Sequence, residues 1–265
     1  MINRYLIFCT IIFLFFLCCL FKPIILRADS DIRTIHVITA LCDNENQGIV
    51  KVPEKLGNGT DLRNNLYWGA LYGVRTVFNS NDKWERINKQ ENITAEILER
   101  LIYRYTADSS TIILVADAYR GDKIKTALTD FIAELSGYDM KSGANIFSDS
   151  VQFTKPDLTV YVGHNGLMEF NLARPDSPHE ARLPDAMILC CASKRYFEKY
   201  WDDSANNTRL WTTGLCSPEA YTLEAALEGW INGQDKQTLH EMAAQTYNEY
   251  QNCGIKAARR LWQVD

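Results

Sequence analysis

The sequence predicts an α/β fold, with a mainly parallel sheet of about five strands and helices on both faces of the sheet. Two observations lead to this prediction. Short apolar segments rich in β-branched residues recur along the chain, and most are followed by longer segments with apolar residues at helical spacing. Strands that alternate with helices are typical of βαβ units, in which neighbouring strands run parallel and are buried on both faces.

Five segments have the composition of buried strands. They are 33–41 (RTIHVITAL), 111–116 (TIILVA), 158–162 (LTVYV), 186–189 (AMIL) and 209–213 (RLWTT). Each is short and is followed by polar or turn-forming residues, which indicate where a strand ends.

Helical spacing predicts the remaining elements. The predicted helices are 61–78, 94–105, 123–135, 194–201, 218–231 and 236–262. Asp61 is a suitable N-cap for the first of them, and Gly254 is a point at which the last one can break. No shift in composition divides the chain beyond residue 28, so we expect residues 29–265 to form one α/β domain.

Residues 1–28 have the parts of a secretory signal. Arg4 precedes an unbroken apolar run over residues 5–21, and Ala28 is a small residue at a suitable cleavage position. The run is also close to the shortest length that spans a bilayer, so an uncleaved membrane anchor is the alternative. Either way, we expect an exported protein that is periplasmic, extracellular or tethered to the membrane by residues 5–21.

The net charge and the number of cysteines limit the possible partners and disulfides of the protein. A formal net charge of −5 and a pI near 5.5 argue against a nucleic-acid partner. Five cysteines lie beyond the leader, and since five is odd, at least one of them stays unpaired within the chain. A disulfide between Cys42 and Cys216 is one pairing that the predicted strand ends allow. No motif for a cofactor is present, and we expect none.

Residues with reactive or ligand-binding side chains follow the ends of the predicted strands. In parallel sheets ligands bind at the carboxyl ends of the strands, and there the chain offers Asp43, Asp117, His164 and Cys191. A cysteine nucleophile needs a base and amide donors for the oxyanion, which His164, Gly166 and the Cys191 amide can supply. The helix that follows Cys191 favours a thiolate through its dipole.

The segments LTVYVGHNG and AMILCCAS resemble the caspase–legumain–gingipain superfamily of cysteine peptidases, which includes the CHAT-type domains. The resemblance implies a caspase-like fold, with His164 as the base and Cys191 as the nucleophile. It also implies an oxyanion hole formed by Gly166 and the Cys191 amide, and a structural role for Cys190. Asn165 departs from the family pattern, because there the glycine usually follows the histidine directly.

Some members of this superfamily cut after Arg or Lys, so the resemblance also suggests Asp43 or Asp117 as an acid that binds a basic substrate side chain. Solvation in a loop or capping of a helix is the alternative for both. His164 also has the alternative of an ordinary loop histidine, and Cys191 that of a buried core cysteine. Cys190 and Cys191 can also bind a metal together with His164, although the spacing fits no zinc pattern and we expect no metal.

The sequence therefore predicts an exported cysteine peptidase-like protein that hydrolyses peptide bonds in a peptide or protein substrate. The alternative is a non-catalytic exported α/β domain that binds a partner at the cell surface or in the periplasm.

Overall fold

The computed structural model describes residues 32–106, 111–141, 143–147, 151–176, 183–201 and 207–265. The predicted leader, residues 1–28, lies outside these ranges, and signal peptide and membrane anchor both stay predictions. Among the residues that are described, no helix has the length and apolar character needed to cross a membrane.

The main sheet of the described chain has eight strands. In chain order they are β1 (Ile32–Ala40), β2 (Glu85–Glu91), β3 (Ile97–Thr106), β4 (Thr111–Tyr119), β7 (Leu158–Val162), β8 (Asp185–Leu189), β9 (Arg209–Thr212) and β10 (Trp262–Val264). Strands β5 (Ala144–Phe147) and β6 (Val151–Phe153) form a separate antiparallel hairpin. The order across the sheet is β10-β9-β8-β7-β1-β4-β3-β2. The strands from β9 to β4 in this order are parallel, and those at both edges are antiparallel.

The predicted α/β class and the mainly parallel sheet are confirmed, but the predicted number of about five strands is wrong. The five predicted strands are the five parallel ones, and the antiparallel β2, β3 and β10 were not predicted. Segment 94–105, predicted as a helix, instead contributes to β3. This strand is buried on both faces, so apolar and polar residues do not alternate: Glu99 (0% exposed) and Arg100 (1%) are as buried as Leu101 (0%).

Helices cover both faces of the sheet, as predicted. They are α1 (Val74–Ser80), α2 (Ile124–Leu135), α3 (Ser193–Phe197), α4 (Ala220–Ile231), α5 (Lys236–Gln251) and α6 (Ile255–Leu261). One core cluster joins the sheet to α1, α4, α5 and α6, and a second joins its other face to α2 and α3.

Several predicted helices are shorter than expected, and two of them differ most. The predicted helix 236–262 is interrupted between α5 and α6, where Gly254 has a φ of +86°, a backbone conformation that favours glycine. The predicted helix 61–78 is helical only from Val74 onward. The turns before it are built around Asn65, whose side chain hydrogen-bonds the amide (3.0 Å) and the carbonyl (2.8 Å) of Cys42.

The parallel register determines which residues meet at the carboxyl edge of the sheet. Thr39 of β1 pairs with Val162 of β7, and Val162 pairs with Leu189 of β8. These three strands therefore end at nearly the same level, and the residues that follow them emerge side by side.

Candidate active site

His164 and Cys191 follow the neighbouring parallel strands β7 and β8. Because Val162 and Leu189 are paired in register, each candidate residue lies two positions beyond the same level of the sheet. The buried Asn165 joins the two turns, since its Nδ2 donates a hydrogen bond to the Cys191 carbonyl at 2.7 Å. The structure thus brings the predicted base and the predicted nucleophile to one edge.

A sharp turn places Cys191 at the end of β8. The next residue, Ala192, has a φ of +49°, and its amide donates to the Gly214 carbonyl at 2.7 Å. For a residue with a Cβ this left-handed conformation costs roughly 1–2 kcal/mol. The turn leads into α3, a helix of only five residues, so the following helix contributes less than the sequence predicts.

The surroundings of Cys191 favour its thiolate and lower the pKa of the thiol from 9.0 to about 6. The largest cause is a hydrogen bond from the Cys216 side chain. Burial acts in the opposite direction, and the Cys216 amide, whose nitrogen lies 3.4 Å from the Cys191 sulfur, lowers the pKa further. The charge of a protonated His164 also favours the thiolate. At neutral pH the sulfur is therefore mainly ionised.

The thiols of Cys42, Cys190 and Cys216 have raised pKa values, in contrast to Cys191. Burial raises the pKa of Cys190 and, to about 11, that of Cys42. The hydrogen bond to Cys191 raises the pKa of Cys216, and burial adds to it. Cys42 and Cys216 are both free, so the disulfide considered for them is not present. Cys190 packs in the core cluster on the α2 face, in agreement with the structural role inferred from the resemblance.

His164 is held by a carboxylate that the sequence analysis missed. The ring Nε2 hydrogen-bonds Oε1 of Glu169, and the same oxygen accepts a hydrogen bond from the Gly48 amide at 3.0 Å. The His164 carbonyl accepts a hydrogen bond from the Tyr161 hydroxyl at 2.7 Å. The His164 side chain is buried (9% exposed), and Glu169 beside it is partly exposed (35%).

The backbone amides around the site differ in what they bind. The amide of Gly166, the predicted oxyanion donor, donates instead to the His164 carbonyl at 3.1 Å. Within the described part of the chain, no oxygen accepts a hydrogen bond from the amides of Asn165 and Cys191. The Cys191 amide faces its own sulfur, and the two amides lie in the turns that carry the two candidate residues, so both are candidate oxyanion donors.

The two predicted specificity acids are engaged elsewhere. The Asp43 carboxylate, 7% exposed, accepts hydrogen bonds from the amides of Glu45 (2.9 Å) and Asn46 (3.1 Å) and closes its own loop. Asp117 is fully buried in β4, where Arg100 binds both of its oxygens at 2.7 Å. The expectation for Asp117 is therefore wrong, since its buried carboxylate is bound by Arg100. Asp43 also lines a surface pocket, and its role as a specificity acid stays a prediction.

The site as a whole contains a thiol with a lowered pKa, an imidazole fixed by a carboxylate, and two amides that are candidate oxyanion donors. These are the groups that nucleophilic attack on a carbonyl requires. The described residues contain no group of three or more His, Cys, Asp or Glu side chains placed to hold a metal ion. Comparisons of the chain with protein-family models, with curated proteins and with solved structures found no match.

Proposed function

We propose that this protein is an exported cysteine peptidase of the caspase-like type, with Cys191 as its nucleophile and His164 as the residue that carries the proton. One observation carries the proposal. Among the described residues, the thiol with a lowered pKa follows β8 at the same level at which His164 follows the adjacent parallel strand β7, and Asn165 joins the two turns. Cysteine nucleophiles occur in such surroundings, whereas structural cysteines have raised pKa values.

The reaction begins with the Cys191 thiolate and a protonated His164. The sulfur attacks the carbonyl carbon of a peptide bond, a C–S bond forms, and the carbonyl oxygen becomes an oxyanion. When the C–N bond breaks, His164 gives its proton to the leaving amine. His164 then takes a proton from water, the water oxygen attacks the acyl carbon, and the C–S bond breaks to release the acid and regenerate the thiolate.

The amides of Asn165 and Cys191 stabilise the oxyanion in this proposal. Each belongs to, or directly follows, one of the two reacting residues, so both donors are positioned by the same turns. Gly166 keeps a conformational role, because its amide closes the turn after His164 and a Cβ at this position would lie 2.7 Å from the Phe170 ring. Removal of one oxyanion donor typically costs about 10²–10³-fold in rate.

Two further features support the proposal. The residues proposed to react follow adjacent central strands of a parallel sheet, where α/β proteins bind their ligands. The residue pattern around these strands resembles that of the caspase–legumain–gingipain superfamily. We include export in the proposal because the apolar run over residues 5–21 predicts it.

The proposal is tested by labelling the purified full chain with a panel of biotinylated peptidyl acyloxymethyl ketones, which acylation-competent cysteine peptidases attack. We expect labelling of Cys191, located by peptide mass spectrometry, with a rate that falls below pH 6. Cys191→Ala and His164→Ala should lose labelling by about 100-fold or more.

Cys253→Ala is the matched control, because Cys253 is exposed and distant in sequence from both reacting residues. It should label like the wild type. Undiminished labelling of the Cys191→Ala chain contradicts the assignment. A wild-type chain that no probe labels favours the alternative, an exported α/β domain that binds a partner.

A further inference from the structure

We propose that Glu169 is a positioning residue of this site, which holds the His164 ring with a proton on Nε2 and leaves Nδ1 to exchange the thiol proton. This inference rests on the proposed function. It extends the Cys191–His164 pair to a third residue that the sequence analysis did not identify.

The tautomer follows from the chemistry of the contact. An ionised carboxylate only accepts hydrogen bonds, so the Nε2 atom that contacts Glu169 must be the donor. A neutral imidazole has one donor and one acceptor nitrogen, and Nδ1 is therefore the acceptor. A base that takes a proton from water needs an acceptor nitrogen, and with Nε2 donating to Glu169 this nitrogen is Nδ1.

Glu169 is itself held in place from a third part of the fold. Its Oε1 accepts the Gly48 amide at 3.0 Å, and Gly48 belongs to the loop that follows β1. Two donors that converge on one oxygen fix the carboxylate better than the ring alone. The base is therefore connected to the turn after β7 by the chain and to the loop after β1 by Glu169.

The loop approaches Glu169 so closely that a side chain at position 48 would displace the carboxylate. A Cβ at position 48 would lie 2.3 Å from Oε1 and 2.7 Å from the carboxyl carbon of Glu169, far inside normal contact. Any side chain at this position must move the carboxylate or the loop. Gly48 is thus the means of perturbing Glu169 without changing its charge.

The test uses the full chain with ring-¹⁵N-labelled histidine and the variant Glu169→Gln, which keeps the shape and removes the charge. Nitrogen NMR is recorded as a pH series, and His164 is identified by the loss of its signals in His164→Ala. At the alkaline end of the series, where the ring is neutral, the His164 signals of Glu169→Gln should shift from the Nε2–H form toward a mixture of tautomers. The rate of labelling by the peptidyl acyloxymethyl ketone should fall by about 10²-fold. For any peptide substrate that is found, kcat should fall and KM should stay unchanged.

Gly48→Ala should move the same NMR signals and reduce labelling by about 10-fold, because the carboxylate is displaced but still charged. Glu198→Gln is the matched control, since Glu198 is an exposed glutamate on another turn, and it should behave like the wild type in both measurements. Urea unfolding of each variant separates a change in the site from a loss of structure.

Unchanged His164 nitrogen shifts and unchanged labelling in Glu169→Gln overturn the inference, even if Cys191 is confirmed as the nucleophile. Changed shifts in a chain that no probe labels retain the positioning role and refute the peptidase instead. The two failures are therefore distinguishable.

Discussion

Two histidines of the described residues hydrogen-bond carboxylates, and their surroundings differ. His36 is 2% exposed and lies between Glu134 (2.8 Å) and Asp117 (3.2 Å) under helix α2, and Arg100 binds Asp117 from the other side. Burial acts to lower the pKa of His36, but the two carboxylates outweigh it and raise the pKa to about 9. His164 has one carboxylate partner, at the surface, beside an ionised thiol.

The comparison shows how the surroundings of the buried His36 differ from those of His164, the residue proposed to react. Around His36 two positive and two negative groups balance inside the core, and the remaining Glu134 oxygen binds the Thr159 hydroxyl at 2.8 Å. No group there is free to exchange a proton with a ligand. At the sheet edge, the His164 ring contacts one carboxylate through Nε2, and the pKa of the Cys191 thiol is lowered.

The largest effect should come from breaking the buried network. Asp117→Ala leaves the Arg100 and His36 charges without the carboxylate between them, and removal of one partner from a buried pair costs about 3–5 kcal/mol. Urea unfolding measures this loss. Asp122→Ala, which removes the partner of Arg120 at the surface, is the control and should cost about 1 kcal/mol or less.

His36 and Cys191 should also make the free energy of unfolding depend on pH, and their effects should have opposite signs. The folded-state pKa of His36, about 9, lies above its unfolded value of 6.5, so its contribution is complete below pH 6.5 and is lost as pH rises through 9. The expected loss is about 3 kcal/mol. For Cys191 the folded pKa, about 6, lies below the unfolded value of 9.0, so its contribution is complete above pH 9 and is lost as pH falls through 6.

Urea unfolding of three chains between pH 6 and pH 9 separates these contributions. We compare the difference in free energy of unfolding, variant minus wild type, as pH increases from 6 to 9. This difference should rise for His36→Gln and fall for Cys191→Ser. Parallel curves for all three chains would mean that neither pKa is shifted in the folded protein.

A smaller effect is expected from Cys216→Ala on the titration of Cys191. The Cys216 thiol is the largest cause of the lowered pKa, so its removal should raise the midpoint above pH 6. The midpoint should stay below 9, because the Cys216 amide and His164 remain. The rate of alkylation of Cys191 by iodoacetamide, followed by mass spectrometry from pH 4 to pH 10, reports this midpoint.

The smallest shift should follow His164→Ala, because His164 ranks below both Cys216 contacts among the causes of the lowered pKa. Its alkylation midpoint should rise less than that of Cys216→Ala, although its peptidyl labelling is lost. An equal or larger rise in His164→Ala would show that the imidazole, and not Cys216, dominates the charge at the sulfur.

The sequence alone predicted the parallel strands of the sheet, and it identified His164 and Cys191 as the proposed pair. The apolar segments at 33–41, 158–162 and 186–189 become neighbouring parallel strands, and the residues of the proposed site follow two of them. Segment 94–105 was misassigned because its charged residues are buried with partners, and a strand covered on both faces does not alternate.

The partners of both histidines were beyond the reach of sequence patterns. His36 meets carboxylates 81 and 98 positions away, and Glu169 meets Gly48 across 121 positions. Such contacts depend on strand order and register, which local spacing does not specify. The one usable signal was local: Glu169 lies five positions after His164, within reach of the same turn.

The hydrogen bond from Asn165 to the Cys191 carbonyl has a consequence for motion. The two turns belong to different strands and would otherwise fluctuate independently. With a 2.7 Å bond between them, and with the Asn165 oxygen accepting from Leu167 at 3.1 Å, a displacement of one turn carries the other along. The distance between the Cys191 sulfur and the His164 ring should then vary less than the position of either group when the edge of the sheet moves.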